Sequence, residues 1–138
     1  MKKRSLGIFF IVFLALAAVG CHKRGPDSAN GLNRVHFDLE SASIKSEMMP
    51  SLNANAGYLK KHKIGGVVVE GHCDERGTNE YNLALGDQRA ATVKEYLVSR
   101  GINEDHIRTV SYGEERPIDK GHDEASWYMN RRADFVRQ

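Results

Sequence analysis

The residues best equipped for chemistry lie between Glu70 and Asn82, in the run Glu70-Gly71-His72-Cys73-Asp74-Glu75-Arg76-Gly77-Thr78-Asn79-Glu80-Tyr81-Asn82. Asp74, Glu75 and Glu80 surround one arginine in a glycine-bounded loop, the kind of segment that holds ligands on a rigid scaffold. Asp74 can accept hydrogen bonds from an ammonium group. Arg89, further along, offers a planar fork suited to a carboxylate. Together they would grip a zwitterion. The plainer roles are a turn cap for Asp74 and a surface ion pair with Glu75 or Glu80 for Arg89. Gly86 neighbours Arg89 on a helix surface, where it either opens a groove or lets the helix pack closely. Enzyme chemistry finds little support. His72, Cys73, Asp74 and Glu75 are consecutive, a poor tetrahedral cage, and no H-x-x-x-H or C-x-x-C accompanies them. There is no Gly-x-Ser-x-Gly elbow, and like charge beside Cys73 disfavours its thiolate.

The elements that must position these residues follow from hydrophobic period. Arg34 to Asp38 alternates as a strand, with Val35 and Phe37 on one face. Leu52, Ala56 and Leu59 recur at helical spacing, and Pro50 suits a first turn, which predicts a helix from about Ser46 to His62. Gly66 to Gly71, with Val67, Val68 and Val69, reads as a buried strand. Tyr81 to Arg100 is the clearest helix, with Leu83, Gly86, Ala90, Val93 and Leu97 on one stripe and Gly101 as its stop. On it Asn82 and Arg89 fall at the border between core and solvent. Arg108 to Tyr112 alternates as a strand, Glu124 to Asn130 reads as a short helix, and Arg132 to Arg137 as a last strand. Arg131 and Arg132 alternate there, so at most one points into a site. Trp127, Tyr128 and Met129 read as core and rim packing. The order β-α-β-α-β-α-β favours an α/β (α+β) sandwich, a mixed sheet with helices on one face.

Ahead of this domain, Lys2-Lys3-Arg4 precedes the apolar run Leu6 to Ala18, and Ala18-Val19-Gly20 leads to Cys21. Residues 1–20 read as a signal peptide, the apolar run being too short to span a bilayer. The end of this segment resembles the lipobox of bacterial lipoproteins, which implies that Cys21 is acylated and begins the mature chain. The lipobox usually has Leu where this chain has Ala18. Acylated Cys21 cannot pair with Cys73, the other of the two cysteines. Residues 21–33 then form the lipidated cysteine and a flexible tether rich in Gly, Pro, Ser and Asn, and 34–138 the folded domain. Of 20 basic residues three lie in the leader, leaving 17 against 18 acidic and a net charge of −1. That balance speaks against a nucleic-acid partner.

The stretch VEGHCDERGTNEYNLALGDQRAATVKEYL, with VHFDLES before it and SYGEERPIDKGHDEASWYMNRR after it, resembles the OmpA-like peptidoglycan-binding domain across essentially Arg34 to Gln138. The resemblance implies a mixed four-stranded sheet and no cofactor. It implies that Asp74 and Arg89 hold the ammonium and carboxylate of meso-diaminopimelate in a cell-wall stem peptide, with help from Asp38, Arg76, Thr78, Leu83, Asn130 and Arg131. It further implies a lipid anchor in the outer membrane, a domain facing the periplasm, and a TolB-like periplasmic partner whose surface overlaps the wall site. The expected role is tethering of the outer membrane to peptidoglycan, within a Tol-Pal-type system that serves envelope integrity and cell division. Cys73, where Thr or Ala is more usual, and Ser43 to Met49 depart from the family pattern.

Overall fold

Two valine-rich or alternating segments far apart in the chain, Val67–His72 and Arg132–Arg137, pair antiparallel at the centre of a four-stranded sheet. The computed structural model describes residues 30–138; the leader, Cys21 and most of the tether lie outside the described residues. In chain order the elements are β1 (Val35–His36), a 3₁₀ turn (Ser46–Met48), α1 (Met49–Lys61), β2 (Val67–His72), α2 (Asn79–Ser99), a second 3₁₀ turn (Glu104–His106), β3 (Ile107–Gly113), α3 (Glu124–Asn130) and β4 (Arg132–Arg137). The sheet order is β1-β4-β2-β3, with β3 parallel to β2 through the α2 crossover and β1 antiparallel to β4. This is the mixed sheet that the alternation of helices and strands favoured.

Boundaries move where hydrogen bonds decide them. The first strand is shorter than the expected Arg34 to Asp38, because the chain turns at Asp38, whose carbonyl accepts from Ser41 N–H. Helix α2 starts at Asn79 rather than Tyr81, because the Thr78 hydroxyl accepts from Tyr81 N–H and caps it. Gly101, at φ +89°, closes it as expected. The packed domain begins earlier than Arg34. Leu32 is fully buried in the core and Asn33 N–H donates to Asn55 Oδ1 at 2.7 Å, so the last residues assigned to the tether belong to the fold.

The core lies between the sheet and the pair α1 and α2, where Val35, Phe37, Leu52, Val67, Val69, Ala90, Val93, Leu97, Ala133 and Phe135 meet. Leu83, expected on the buried stripe of α2, is 38% exposed, and Leu85 takes the inward place. Gly86 is settled as a packing residue: a Cβ there would lie 2.1 Å from Ser111 Oγ, and one on Gly71 would lie 1.8 Å from the Gly86 carbonyl oxygen. Backbone-to-backbone approach of α2 and β2 at this point brings the loop after β2 against the helix that carries Arg89.

The opposite face of the sheet is polar. Register places Glu70 beside Asp134 and His72 beside Arg132, and Asp134 receives hydrogen bonds from Arg34 Nε and Arg132 Nε. His72 is buried there against the Tyr112 ring, 5.6 Å between centroids, and neither ring nitrogen has a hydrogen-bond partner. Burial, with Arg132 nearby, pushes its pKa down to about 4, so the ring is neutral at neutral pH.

Two outcomes follow. Gly71→Ala destabilises the domain by more than about 3 kcal/mol, because the clash is with backbone and cannot be relieved by a rotamer change; a urea melt of the variant checks it. A histidine with a lowered folded pKa contributes stability that is complete above its unfolded value and lost as pH falls toward the folded one. Between pH 7 and 5 His72 therefore removes about 2 kcal/mol of stability. Paired urea melts of the wild type and His72→Gln at the two pH values read this as a smaller pH dependence in the variant.

Candidate functional site

The C-terminal end of β2, the cap of α2 and the turn after β1 converge on a cavity of about 360 Å³ lined by Leu39, Glu40, Cys73, Asp74, Arg76, Gly77, Thr78, Tyr81, Asn82, Leu85, Arg89 and Arg131. Each charged group at its floor is held by the fold. Arg89 is fully buried, not at the border between core and solvent as its helical position suggested. Its guanidinium donates to three backbone carbonyls, from Nε to Ser41 O at 2.8 Å, from Nη1 to His72 O at 2.8 Å and from Nη2 to Asp38 O at 3.0 Å. Neither Glu75 nor Glu80 pairs with it. Burial lowers its pKa, yet a guanidinium remains a cation at any ordinary pH. Its fork is therefore committed largely to backbone, and it acts on the cavity mainly as a fixed positive charge.

Asp74 is 4% exposed. Its Oδ1 accepts from Arg76 N–H at 3.0 Å and Arg76 Nε at 3.1 Å, and its Oδ2 from Arg76 Nη2 at 2.8 Å and Arg131 Nη1 at 3.3 Å. Burial works against the carboxylate, but the side-chain and backbone hydrogen bonds of Arg76 outweigh it and hold Asp74 below the usual carboxylate range. Arg131 is locked from behind, with Nε donating to Phe37 O at 3.0 Å and Nη2 to Glu124 Oε1. Of the arginine pair, Arg131 alone points into the site. Arg132 crosses to the polar face, as strand alternation requires.

The other expected contributors divide. Thr78 lines the cavity and caps α2. Asp38 lends its carbonyl to Arg89 while its carboxylate pairs with Lys45 at 2.9 Å, outside the cavity. Asn130 pins the loop between β3 and α3 instead, its Oδ1 accepting from Ile118 and Asp119 N–H. Leu83 lies off the cavity, near Gly113. Leu39, Glu40 and Tyr81 are lining residues that the sequence reading missed; Glu40 has φ +52°, a rare stance for a side-chain-bearing residue, which no local pattern announces. Trp127 packs at the rim as expected, its Nε1 donating to Glu75 Oε1 at 2.9 Å.

Cys73 is a buried free thiol that donates to Asn82 O at 3.2 Å. Burial first, with Asp74 beside it and Arg89 opposing, pushes its pKa up to about 11, which leaves no nucleophile at neutral pH. Among the described residues the metal-capable group of three is Glu70, His72 and Asp134, on the far face of the sheet, where Arg34 and Arg132 already occupy Asp134. No helix among the described residues is long and apolar enough to cross a membrane.

The fold is an open mixed sheet backed by helices, with a buried acid and two buried arginines gathered beyond the end of its central strand β2. The chain belongs to the OmpA family, whose model matches residues 36–131. It is similar to proteins named peptidoglycan-associated lipoprotein: one from Rhizobium meliloti, 40% identical over 91% of this chain and 83% of the relative, and one from Legionella pneumophila, 50% identical over 72% of this chain and 57% of the relative. Among solved structures it resembles the peptidoglycan-associated lipoprotein from Burkholderia pseudomallei, with a TM-score of 0.72 and 46% identity over 76% of this chain and 89% of that one. The shared name is that of a lipoprotein associated with peptidoglycan.

Because three carbonyls lose their donor at once, Arg89→Ala costs at least about 3 kcal/mol of stability, and Arg89→Lys restores little, since a single ammonium cannot reach all three. Chemical denaturation of both variants checks this.

Proposed function

We propose that this chain is a lipid-anchored tether that binds peptidoglycan without covalent bonds, through the meso-diaminopimelate of the stem peptide. The observation that carries the reading is the cavity floor: one buried carboxylate, Asp74, flanked by the buried cations Arg89 and Arg131. Such a floor suits a zwitterion, whose ammonium goes to Asp74 and whose carboxylate is drawn by the arginines. Thr78 and Asn82 add polar edges, and Leu85 with Tyr81 gives an apolar wall for the aliphatic stem. The names of the relatives support association with peptidoglycan.

Residues 1–20 direct export, Cys21 carries the acyl chains, and the residues between Cys21 and Leu32 link it to the domain in the periplasm. Several acyl chains hold the outer membrane essentially permanently, at ~0.8 kcal/mol per buried CH₂, whereas one chain alone binds only marginally. The wall contact is then the weaker end of the tether. A TolB-like periplasmic partner docks over the same mouth, a reading supported by the exposed Leu39 (51%) and Tyr81 (47%) beside it. Partner and wall peptide then compete for one copy, within a Tol-Pal-type system serving envelope integrity and cell division.

Calorimetric titration with a meso-diaminopimelate stem peptide, and in parallel with the lysine analogue that lacks the distal carboxylate, tests the ligand. Binding of the first and not the second is expected. Asp74→Asn weakens it by about 1.5–3 kcal/mol, the range for loss of a charge-assisted hydrogen bond. Equal retention of Asp74→Asn and wild type on purified sacculi overturns the assignment.

A further inference from the structure

Asp74 has two cationic partners of different kinds. Arg131 is 3% exposed and fixed by Phe37 O and Glu124, so it cannot leave without breaking the wall of the domain. The Arg76 side chain is 34% exposed, sits on a loop before α2, and covers Asp74 with a bidentate fork at 3.1 and 2.8 Å. Its guanidinium carbon lies 4.1 Å from the centroid of the Trp127 ring, and Nη2 is 3.9 Å from Glu124 Oε2. The arginine thus spans the carboxylate at the cavity floor and an aromatic and acidic rim.

A buried carboxylate whose outward hydrogen-bonding sites are taken by an arginine has no place for an incoming ammonium. Either the ligand's cation goes elsewhere, or Arg76 moves. The rim makes the second course inexpensive, since the guanidinium can stay over Trp127 and near Glu124 when it lets go of Asp74, keeping a cation–π contact and a counter-charge. We infer that Arg76 is an internal placeholder for the ligand's ammonium: in the free chain it neutralises Asp74, and a ligand binds by exchanging one cation for another at that carboxylate. The inference rests on the function proposed above and assigns Arg76 a role different from that of a direct ligand contact. Exchange makes the electrostatic gain at Asp74 small, so the wall contact stays weak and readily reversible, and a lone amine without further contacts does not open the site.

The chain contains a single tryptophan, so Trp127 reports the move directly. The experiment titrates the whole chain in detergent with the meso-diaminopimelate stem peptide, following heat and tryptophan emission together, for wild type, Arg76→Ala, Arg76→Gln and Asp74→Asn, each checked for a cooperative melt. The placeholder predicts that wild-type emission changes with saturation and that Arg76→Ala and Arg76→Gln bind roughly three- to tenfold more tightly, because no internal competitor must be displaced. It further predicts that emission in these two variants is nearly constant, while Asp74→Asn loses affinity. Weaker binding by both Arg76 variants, or wild-type binding with unchanged Trp127 emission, overturns the placeholder and leaves the ligand assignment standing. Binding by the Arg76 variants but not by wild type supports it in its strongest form. No binding by any chain overturns the ligand assignment and the placeholder with it.

Discussion

The Arg89 guanidinium is the interaction on which the rest of the site depends. It is a charge placed where no water reaches it, stabilised by the carbonyls of Asp38, Ser41 and His72. Those carbonyls belong to the turn after β1 and to the last residue of β2, segments more than thirty residues apart in the chain. One side chain on α2 therefore ties two distant segments of the backbone to a common point. Without it, the turn carrying Leu39 and Glu40 loses two hydrogen bonds from α2, and the cavity loses a lining residue. The arrangement also solves the problem of a buried cation, since three strong carbonyl acceptors are gathered around it.

Around that anchor the domain separates charges by face. The helix side of the sheet is apolar, and its tightest contact, Gly71 against Gly86, lets α2 approach near enough for Arg89 to reach the β2 terminus. The far side carries Glu70, Asp134, Arg34 and Arg132, with a neutral His72 enclosed among them. The cavity lies at the strand ends, where both faces give out and Arg76 is partly open to solvent. A pocket at that position needs no distortion of the sheet. It is built from a strand end, a helix cap and a turn, each of which has other structural work.

The site is consequently rigid at its floor and adjustable at its rim. Arg89 and Arg131 are enclosed by backbone carbonyls and core side chains, and Asp74 is buried between them. Arg76, Trp127, Glu75 and His122 are joined by contacts on the surface, with Glu75 accepting from Trp127 and paired with His122 at 2.7 Å. The hydrogen bond to Glu75 first, and the Glu75 charge second, raise the pKa of His122. Rim contacts of this kind are screened by salt and individually weak, so they can rearrange while the floor keeps its geometry.

Much of this was legible in the residues alone. The 3.6-residue period of α2, the alternation of β4 and the glycines at 71, 86 and 101 determine which elements form, because these are local rules of sterics and burial. The unusual density of charge between Glu70 and Asn82 marks the segment that lines the cavity. What the tertiary structure decided was the state of each charge. A helical wheel places Arg89 at a border, and only the folding of the turn after β1 over it makes it buried. Asp74 looks free in sequence, and only the return of the chain at residue 131 gives it a second arginine. Leu85 replaces Leu83 in the core, and Leu32 joins it from the supposed tether, because inward positions are chosen by what packs opposite rather than by period alone. Local chemistry names the residues; burial and pairing across distant segments determine what those residues can do.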